Sequence, residues 1–92
     1  MNTSQVDREG FAAFLLRMRN DGMDDRLLMA AFESVPRREF IRPEFFNTVW
    51  SKRTVPLDCG ECIEGADLQA RLIRLLGIEE DHRILEIGTG SG

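Results

Sequence analysis

Apolar residues recur every three or four positions through the first part of the chain, which is the spacing of one helix face. Ser4 is a suitable N-cap and Gly22 a suitable terminator, so we predict a first helix between them. A second helix is predicted from Asp24 or Asp25 to Pro36, because helix is disfavoured just before a proline. The predicted apolar stripes are Val6, Phe11, Phe14, Leu15 and Met18 in the first helix and Leu28, Ala31, Phe32 and Val35 in the second.

The middle of the chain is predicted to hold shorter elements before one further helix. Residues 43–46 can form a short helical turn, and residues 54–57 a short strand. A last helix is predicted over residues 67–76, with Gly77 as its stop. Four leucines of this helix are expected to point inward: Leu68, Leu72, Leu75 and Leu76.

An aliphatic run of Ile84, Leu85 and Ile87 comes next and is typical of a buried parallel strand. A helix followed by such a strand indicates an α/β fold with a Rossmann-like sheet, of which this chain supplies the first parallel strand. We therefore predict a helical N-terminal cap over residues 1–66 and the start of the sheet domain over residues 67–92. A doubly wound sheet needs several further βα units, so the chain is expected to be the N-terminal piece of a larger protein.

Three glycines follow the strand, and glycine permits sharp turns and close approach of a ligand because it has no Cβ. Their spacing, Gly88-x-Gly90-x-Gly92, differs from the dinucleotide fingerprint G-x-G-x-x-G, and the lysine of a phosphate-binding P-loop is missing. With Glu86 before them, they resemble the first motif of Rossmann-like S-adenosylmethionine-dependent methyltransferases, E-x-G-x-G-x-G. The resemblance implies S-adenosylmethionine as cofactor, held by Glu86, Gly88, Thr89, Gly90, Ser91 and Gly92. A nucleotide-dependent oxidoreductase stays open as an alternative.

Composition and charge narrow the expected partners. The 92 residues carry a formal net charge of −4, which argues against nucleic acid or an anionic membrane as a partner. The first ten residues are too polar for a signal peptide, and no apolar run approaches the roughly 20 residues of a membrane span. We therefore expect a cytoplasmic protein. Because the aliphatic strand would be exposed in the chain by itself, we also expect self-association and weak cofactor binding there.

Segments in the middle of the chain narrow the resemblance to one family. Val35-Pro36-Arg37-x-x-Phe40 and Val55-Pro56-Leu57, together with the glycine motif, resemble protein-L-isoaspartate O-methyltransferases. That family has V-P-R-x-x-F-V, L-P-I and E-I-G-T-G-S-G in this order, and the similarity extends from about Gly10 to Gly92. It implies methyl transfer from S-adenosylmethionine to the α-carboxylate of isoaspartyl residues in damaged protein. The implied partner is a protein or peptide substrate bearing isoaspartyl residues.

One segment departs from that family. Where the family has G-Q-T-I-S, the chain reads Gly60-Glu61-Cys62-Ile63-Glu64. By position, Cys62 and Ile63 would flank the cofactor, and Glu64 would stand at the methyl-transfer site as the candidate catalytic residue. A carboxylate there would repel an anionic acceptor, act if protonated, or face the cofactor's cation. A non-catalytic cofactor-binding sensor or adaptor, and a methyltransferase with a different acceptor, stay open as alternatives.

The cysteines and the histidine have simpler interpretations. Cys59 and Cys62 form a C-x-x-C pattern, which elsewhere indicates redox chemistry or half of a zinc site. A structural zinc site needs four ligands, and only His82 could be added to the two thiols, so no metal site is predicted. His82 is interpreted as a solvated turn residue.

Two arginines and three aromatic residues complete the candidates. Arg37 and Arg38 could bind a substrate carboxylate, although pairing with Glu33 or Glu39 at a helix end is the favoured interpretation. The aromatic residues predicted to pack in the interior are Trp50, Phe45 and Phe46.

Overall fold

The computed structural model describes residues 3–92, except for the side chains of Thr3 and Cys59. Its helices are α1 (Thr3–Asn20), α2 (Arg26–Ser34) and α3 (Ala66–Leu75), with 3₁₀ turns at Arg37–Phe40, Pro43–Thr48 and Asp58–Gly60. Two short strands, β1 (Val55–Pro56) and β2 (Cys62–Ile63), pair antiparallel. The predicted turn over residues 43–46 and strand over residues 54–57 are confirmed, the strand at a length of two residues. Within residues 3–92, no helix combines the length and apolarity needed to span a bilayer.

The first two helices agree with the sequence prediction in extent. α1 ends before Gly22, which adopts φ +81°, a conformation that suits glycine after a helix. α2 begins after Asp25, whose carboxylate accepts the N–H of Leu28 at 3.0 Å. The prediction of Ser4 as N-cap is wrong, since the helical backbone already includes Thr3.

The core contains Trp50 at the contact between α1 and the segment after α2. The Trp50 ring centroid lies 4.8 Å from that of Phe11 and 5.2 Å from that of Phe14, and its indole N–H donates to Asp7 Oδ1 at 3.0 Å. The predicted packing of Trp50 is confirmed. The buried apolar side chains are Phe14, Met18, Met23, Ile41, Val49, Trp50, Val55, Ile63, Ala66 and Ala70, and those half-buried against them are Phe11, Leu28, Met29, Phe32, Phe45, Phe46 and Leu57.

The leucines of α3 are not on its inward face, so their predicted burial is wrong. α3 instead buries Ala66, Asp67 and Ala70, because small side chains let its first turns lie close to α1. The outward leucines, between 49% and 83% exposed, are Leu68, Leu72 and Leu75 of α3 and Leu76, which follows its last residue. The periodicity correctly placed the leucines on a common side of the helix. It did not show that the rest of the chain packs against the opposite side, which carries Ala66 and Ala70.

Residues 84–87 form no strand, contrary to the prediction of a first parallel strand. The side chains of Ile84, Leu85 and Ile87 are 59%, 86% and 89% exposed, and their backbone is irregular. A strand is held by hydrogen bonds to a neighbouring strand, and within residues 3–92 the structure pairs none with this segment. The described residues therefore form a mixed helical and two-stranded arrangement that is compatible with part of an α/β fold. The division at residue 66 stays a prediction.

Candidate functional site

The glycine motif forms an irregular loop that lies against the core on one side. Gly88, Gly90 and Gly92 have φ values of +78°, +75° and +127°, which L side chains rarely adopt. A Cβ on Gly92 would lie 2.6 Å from the Phe40 ring, whereas a Cβ on Gly88 would meet nothing within 4 Å. The loop is therefore packed at Gly92 and open at Gly88.

The same loop contacts strand β2, which is distant in sequence. A Cβ on Gly90 would lie 3.5 Å from Cγ2 of Ile63 and 3.6 Å from Cδ1 of Leu57, so both side chains flank the glycine at ordinary contact distance. The structure thus places one predicted cofactor-binding residue of β2, Ile63, beside the predicted cofactor loop.

A cavity of about 310 Å³ lies beside this loop and α2. The apolar stripe of α2 forms one wall, which explains why its side chains are exposed or half-buried. The polar side chains of Arg37 and Gln69 contribute to the lining. The remaining lining residues are Leu28, Ala31 and Phe32 of α2, then Val35, Phe40, Ile63, Ile73, Thr89, Ser91 and Gly92.

Five predicted site residues lie outside this cavity, Gly90 among them. Cys62, Glu64, Glu86 and Gly88 do not line it, and all four are exposed. They are also absent from the walls of a second cavity of about 490 Å³, to which Gly90 contributes. The structure therefore brings Ile63 together with the second half of the glycine loop and leaves the loop's first half open to solvent.

Arg37 is a buried cation at the cavity, with 8% of its surface exposed. Its Nε donates to the carbonyl of Val49 at 2.8 Å, its Nη2 donates to the carbonyl of Glu64 at 2.7 Å, and its Nη1 donates to Gln69 Oε1. Burial lowers the pKa of the Arg37 guanidinium, and the negative charge of Glu64 acts in the opposite direction. The guanidinium thereby connects the main chain before β1, at Val49, and after β2, at Glu64, to the Gln69 side chain of α3.

The predicted pairing of the two arginines with Glu33 or Glu39 is wrong. Arg37 bonds to neutral acceptors, because the turn that follows Pro36 places its side chain in the interior. Nη1 of Arg38 lies 3.8 Å from Oδ2 of Asp7 in α1, which makes Asp7 its ionic partner.

Gln69 belongs to this site, and sequence analysis missed it. It lines the cavity, accepts a hydrogen bond from Arg37, and donates from Nε2 to Glu64 Oε1 at 3.2 Å. A single glutamine on a helix is ordinarily solvated, so its type gave no signal. Its position near the start of α3, shortly after Glu64, was the only available indication.

The turn from β2 into α3 is held by Gly65 and Asp67. A Cβ on Gly65 would lie 2.5 Å from the carbonyl carbon of Lys52, so a larger residue does not fit without movement of the backbone. Asp67 is buried and accepts hydrogen bonds from Arg17 Nε at 3.0 Å and Nη2 at 2.9 Å, while Arg17 also donates to the Trp50 carbonyl. The hydrogen bond to Asp67 is the main reason that the pKa of Arg17 is raised. These contacts set the position of the chain around Glu64.

The remaining candidates lie at the surface. The Cys62 thiol is free and exposed, and the side chain of Cys59 lies outside the described part. Glu79, Asp81 and His82 lie with their ligand atoms within 4.8 Å of one another, and all three are exposed. His82 is therefore a solvated turn residue, as predicted.

Comparisons with known proteins give one consistent family. The family model described as Protein-L-isoaspartate(D-aspartate) O-methyltransferase matches residues 9–92. A protein-L-isoaspartate O-methyltransferase of Rhizobium meliloti (strain 1021) is 44% identical over 77 residues, which are 84% of this chain and 38% of that protein. The protein of the same description from Azorhizobium caulinodans is 35% identical over 92 residues, 100% of this chain and 42% of its own length. The chain thus spans about two fifths of the length of these curated relatives. No solved structure matches the chain.

Proposed function

The chain belongs to the protein-L-isoaspartate(D-aspartate) O-methyltransferase family, and we propose that its protein transfers a methyl group from S-adenosylmethionine to isoaspartyl carboxylates of damaged proteins. The observation that carries the proposal is the family match over residues 9–92, which includes both the glycine loop and the segment around Ile63. The relatives are named as enzymes, so the alternative of a non-catalytic sensor is not favoured.

The residues around the loop fit the cofactor that this activity requires. At Gly88 the backbone has a positive φ and faces open space, so a ligand can approach it closely. The neighbouring Glu86 is exposed, and its carboxylate is available to a cationic ligand. When bound, S-adenosylmethionine supplies a methyl group that its sulfonium centre has already activated. We propose that Glu86 and residues 88–92 hold this cofactor, with Cys62 and Ile63 flanking it.

The chain's own contribution to the reaction is orientation of the acceptor and exclusion of water. The α2 wall is apolar, and Arg37 supplies a buried positive charge at the same cavity. This combination suits a carboxylate carried on a peptide, because the guanidinium favours the anion and the apolar wall displaces water. At about 310 Å³, the cavity is at the lower end of the roughly 300–1,000 Å³ typical of ligand sites.

The test is transfer of a labelled methyl group by the protein at its full natural length. The acceptor is a synthetic peptide with one isoaspartyl residue, and the matched control is the same peptide with an ordinary aspartyl residue. We expect a base-labile methyl ester on the isoaspartyl peptide alone. Cofactor binding without methylation of either peptide would overturn the proposal and favour a sensor, and methylation of another acceptor would overturn its substrate assignment.

A further inference from the structure

The orientation of the Gln69 amide follows from its two neighbours. Arg37 carries only hydrogen-bond donors, so the amide must turn its Oε1 toward the guanidinium. The amide nitrogen then faces the other way and donates to Glu64 Oε1 at 3.2 Å. An ionised carboxylate only accepts, so donor and acceptor match at both contacts.

This arrangement holds the Glu64 carboxylate away from the cavity. Arg37 and Gln69 line the cavity, whereas Glu64 does not. The main chain at Glu64 is fixed separately, through the 2.7 Å bond from Arg37 Nη2 to its carbonyl. Because the main chain is fixed in this way, only rotation of the Glu64 side chain can bring its carboxylate toward the cavity. The hydrogen bond from Gln69 Nε2 restrains that rotation.

We propose that Gln69 is a positioning residue that keeps the Glu64 carboxylate out of the acceptor cavity and so allows an anionic methyl acceptor to enter. The inference rests on the proposed function, since that function supplies the anionic acceptor. Without the Gln69 amide, an ionised Glu64 is free to turn toward the cavity and to repel a carboxylate there. The chain thus combines a glutamate at this position with a neighbour that restrains it.

Two substitutions of Gln69 separate its two contacts. Gln69→Met keeps the length of the side chain but removes both polar atoms. Gln69→Glu keeps an acceptor for Arg37 but replaces the amide donor with a negative charge, which lies beside Glu64 and at the cavity wall itself. We expect both to raise the KM for the isoaspartyl peptide about five- to tenfold, the scale of like-charge repulsion in a partly solvated site. The KM for S-adenosylmethionine should not rise.

The matched background is Glu64→Ser, in which the charge that Gln69 restrains is absent. There, Gln69→Met should change the peptide KM little. In the original background, the KM defect should shrink with added salt, because screening weakens repulsion between partly exposed charges. An equal defect in both backgrounds, or one insensitive to salt, would overturn the inference and show that Gln69 acts directly or through folding.

A spectroscopic measurement keeps the inference separate from the proposed function. Residues 1–92 contain two glutamines, Gln5 and Gln69, whose side-chain amide signals under selective ¹⁵N-glutamine labelling are assigned by their loss on substitution, with Gln5 as the internal reference. Glu64→Ser should shift the Gln69 signal and leave that of Gln5 in place. An unmoved Gln69 signal would overturn the inference even in an active enzyme. A shifted signal in a protein without methyl transfer would overturn the proposed function and leave only the contact between Gln69 and Glu64 standing.

Discussion

The substitution Gly65→Ala adds one methyl group where the structure has no room for it. The added Cβ would lie 2.5 Å from the carbonyl carbon of Lys52 and 3.0 Å from the carbonyl oxygen of Arg53, and the Lys52 oxygen is nearer still. These are backbone atoms, which cannot rotate away as the end of a side chain can. Since ordinary contacts begin near 3.4 Å, one of the two segments must move by roughly 1 Å.

The magnitude follows from two opposing effects. Gly65 has φ −63°, which alanine adopts without strain, so in free space the substitution would stabilise the fold by about 0.4–1 kcal/mol. Overpacking of a filled site typically costs about 1–3 kcal/mol, and here the obstacle is rigid backbone. We expect a net loss of about 2 kcal/mol in the free energy of unfolding, which lowers the Tm of a protein of about 150–250 residues by roughly 4–8 °C.

Thermal and urea unfolding followed by circular dichroism would measure this loss. Gly77→Ala is the matched control, because Gly77 has φ +62° and nothing within 4 Å of an added Cβ. Its expected loss, about 1–2 kcal/mol, comes from backbone conformation alone. A Gly65→Ala protein as stable as the unsubstituted one would refute the close approach of Gly65 to Lys52.

Three further predictions concern the proposed cofactor loop, the part-buried ion pair of Arg17 with Asp67 and the outer face of α3. Gly88→Ala should weaken S-adenosylmethionine binding by roughly tenfold in calorimetry, whereas Gly77→Ala, at a position with a similar backbone conformation outside the loop, should not. If Gly88→Ala binds S-adenosylmethionine as tightly as the unsubstituted protein, the loop assignment is contradicted. Asp67→Asn should lower the free energy of unfolding by about 1.5–3 kcal/mol, because the charge that Arg17 bonds is lost; an unchanged urea midpoint would argue against the pair. The 92-residue polypeptide should self-associate in sedimentation experiments, and Leu75→Lys should reduce this; a monomer at high concentration would contradict it.

Local patterns predicted α1 and α2 because their signals lie within the helices themselves. The spacing of the apolar residues, Asp25 before α2 and Gly22 after α1 each act on neighbouring residues. The leucines of α3 and the aliphatic residues 84–87 were misassigned because their burial depends on what lies beside them, and residues 3–92 leave both exposed. Apolar character alone does not identify the surface that covers a residue.

In the candidate site, too, features formed by neighbouring residues could be predicted from the sequence, and contacts between distant residues could not. The glycine motif could be recognised in sequence, because it consists of closely spaced residues of one segment. The contact of Arg37 with Gln69 joins residues 32 positions apart, and no spacing rule relates them. The predicted pairing of Arg37 with Glu33 or Glu39 at a helix end therefore missed the contacts that place it at the cavity.

The bond between Arg17 and Asp67 also determines when the N-terminal helix can be stabilised during synthesis. Its two partners are 50 residues apart, so Arg17 of α1 leaves the ribosome 50 residues of synthesis before the carboxylate that it bonds. At about 5–20 residues per second, that interval lasts roughly 3–10 s. Throughout this interval the side of α1 that α3 covers in the fold stays uncovered, so α1 is least protected from wrong contacts at this stage of synthesis.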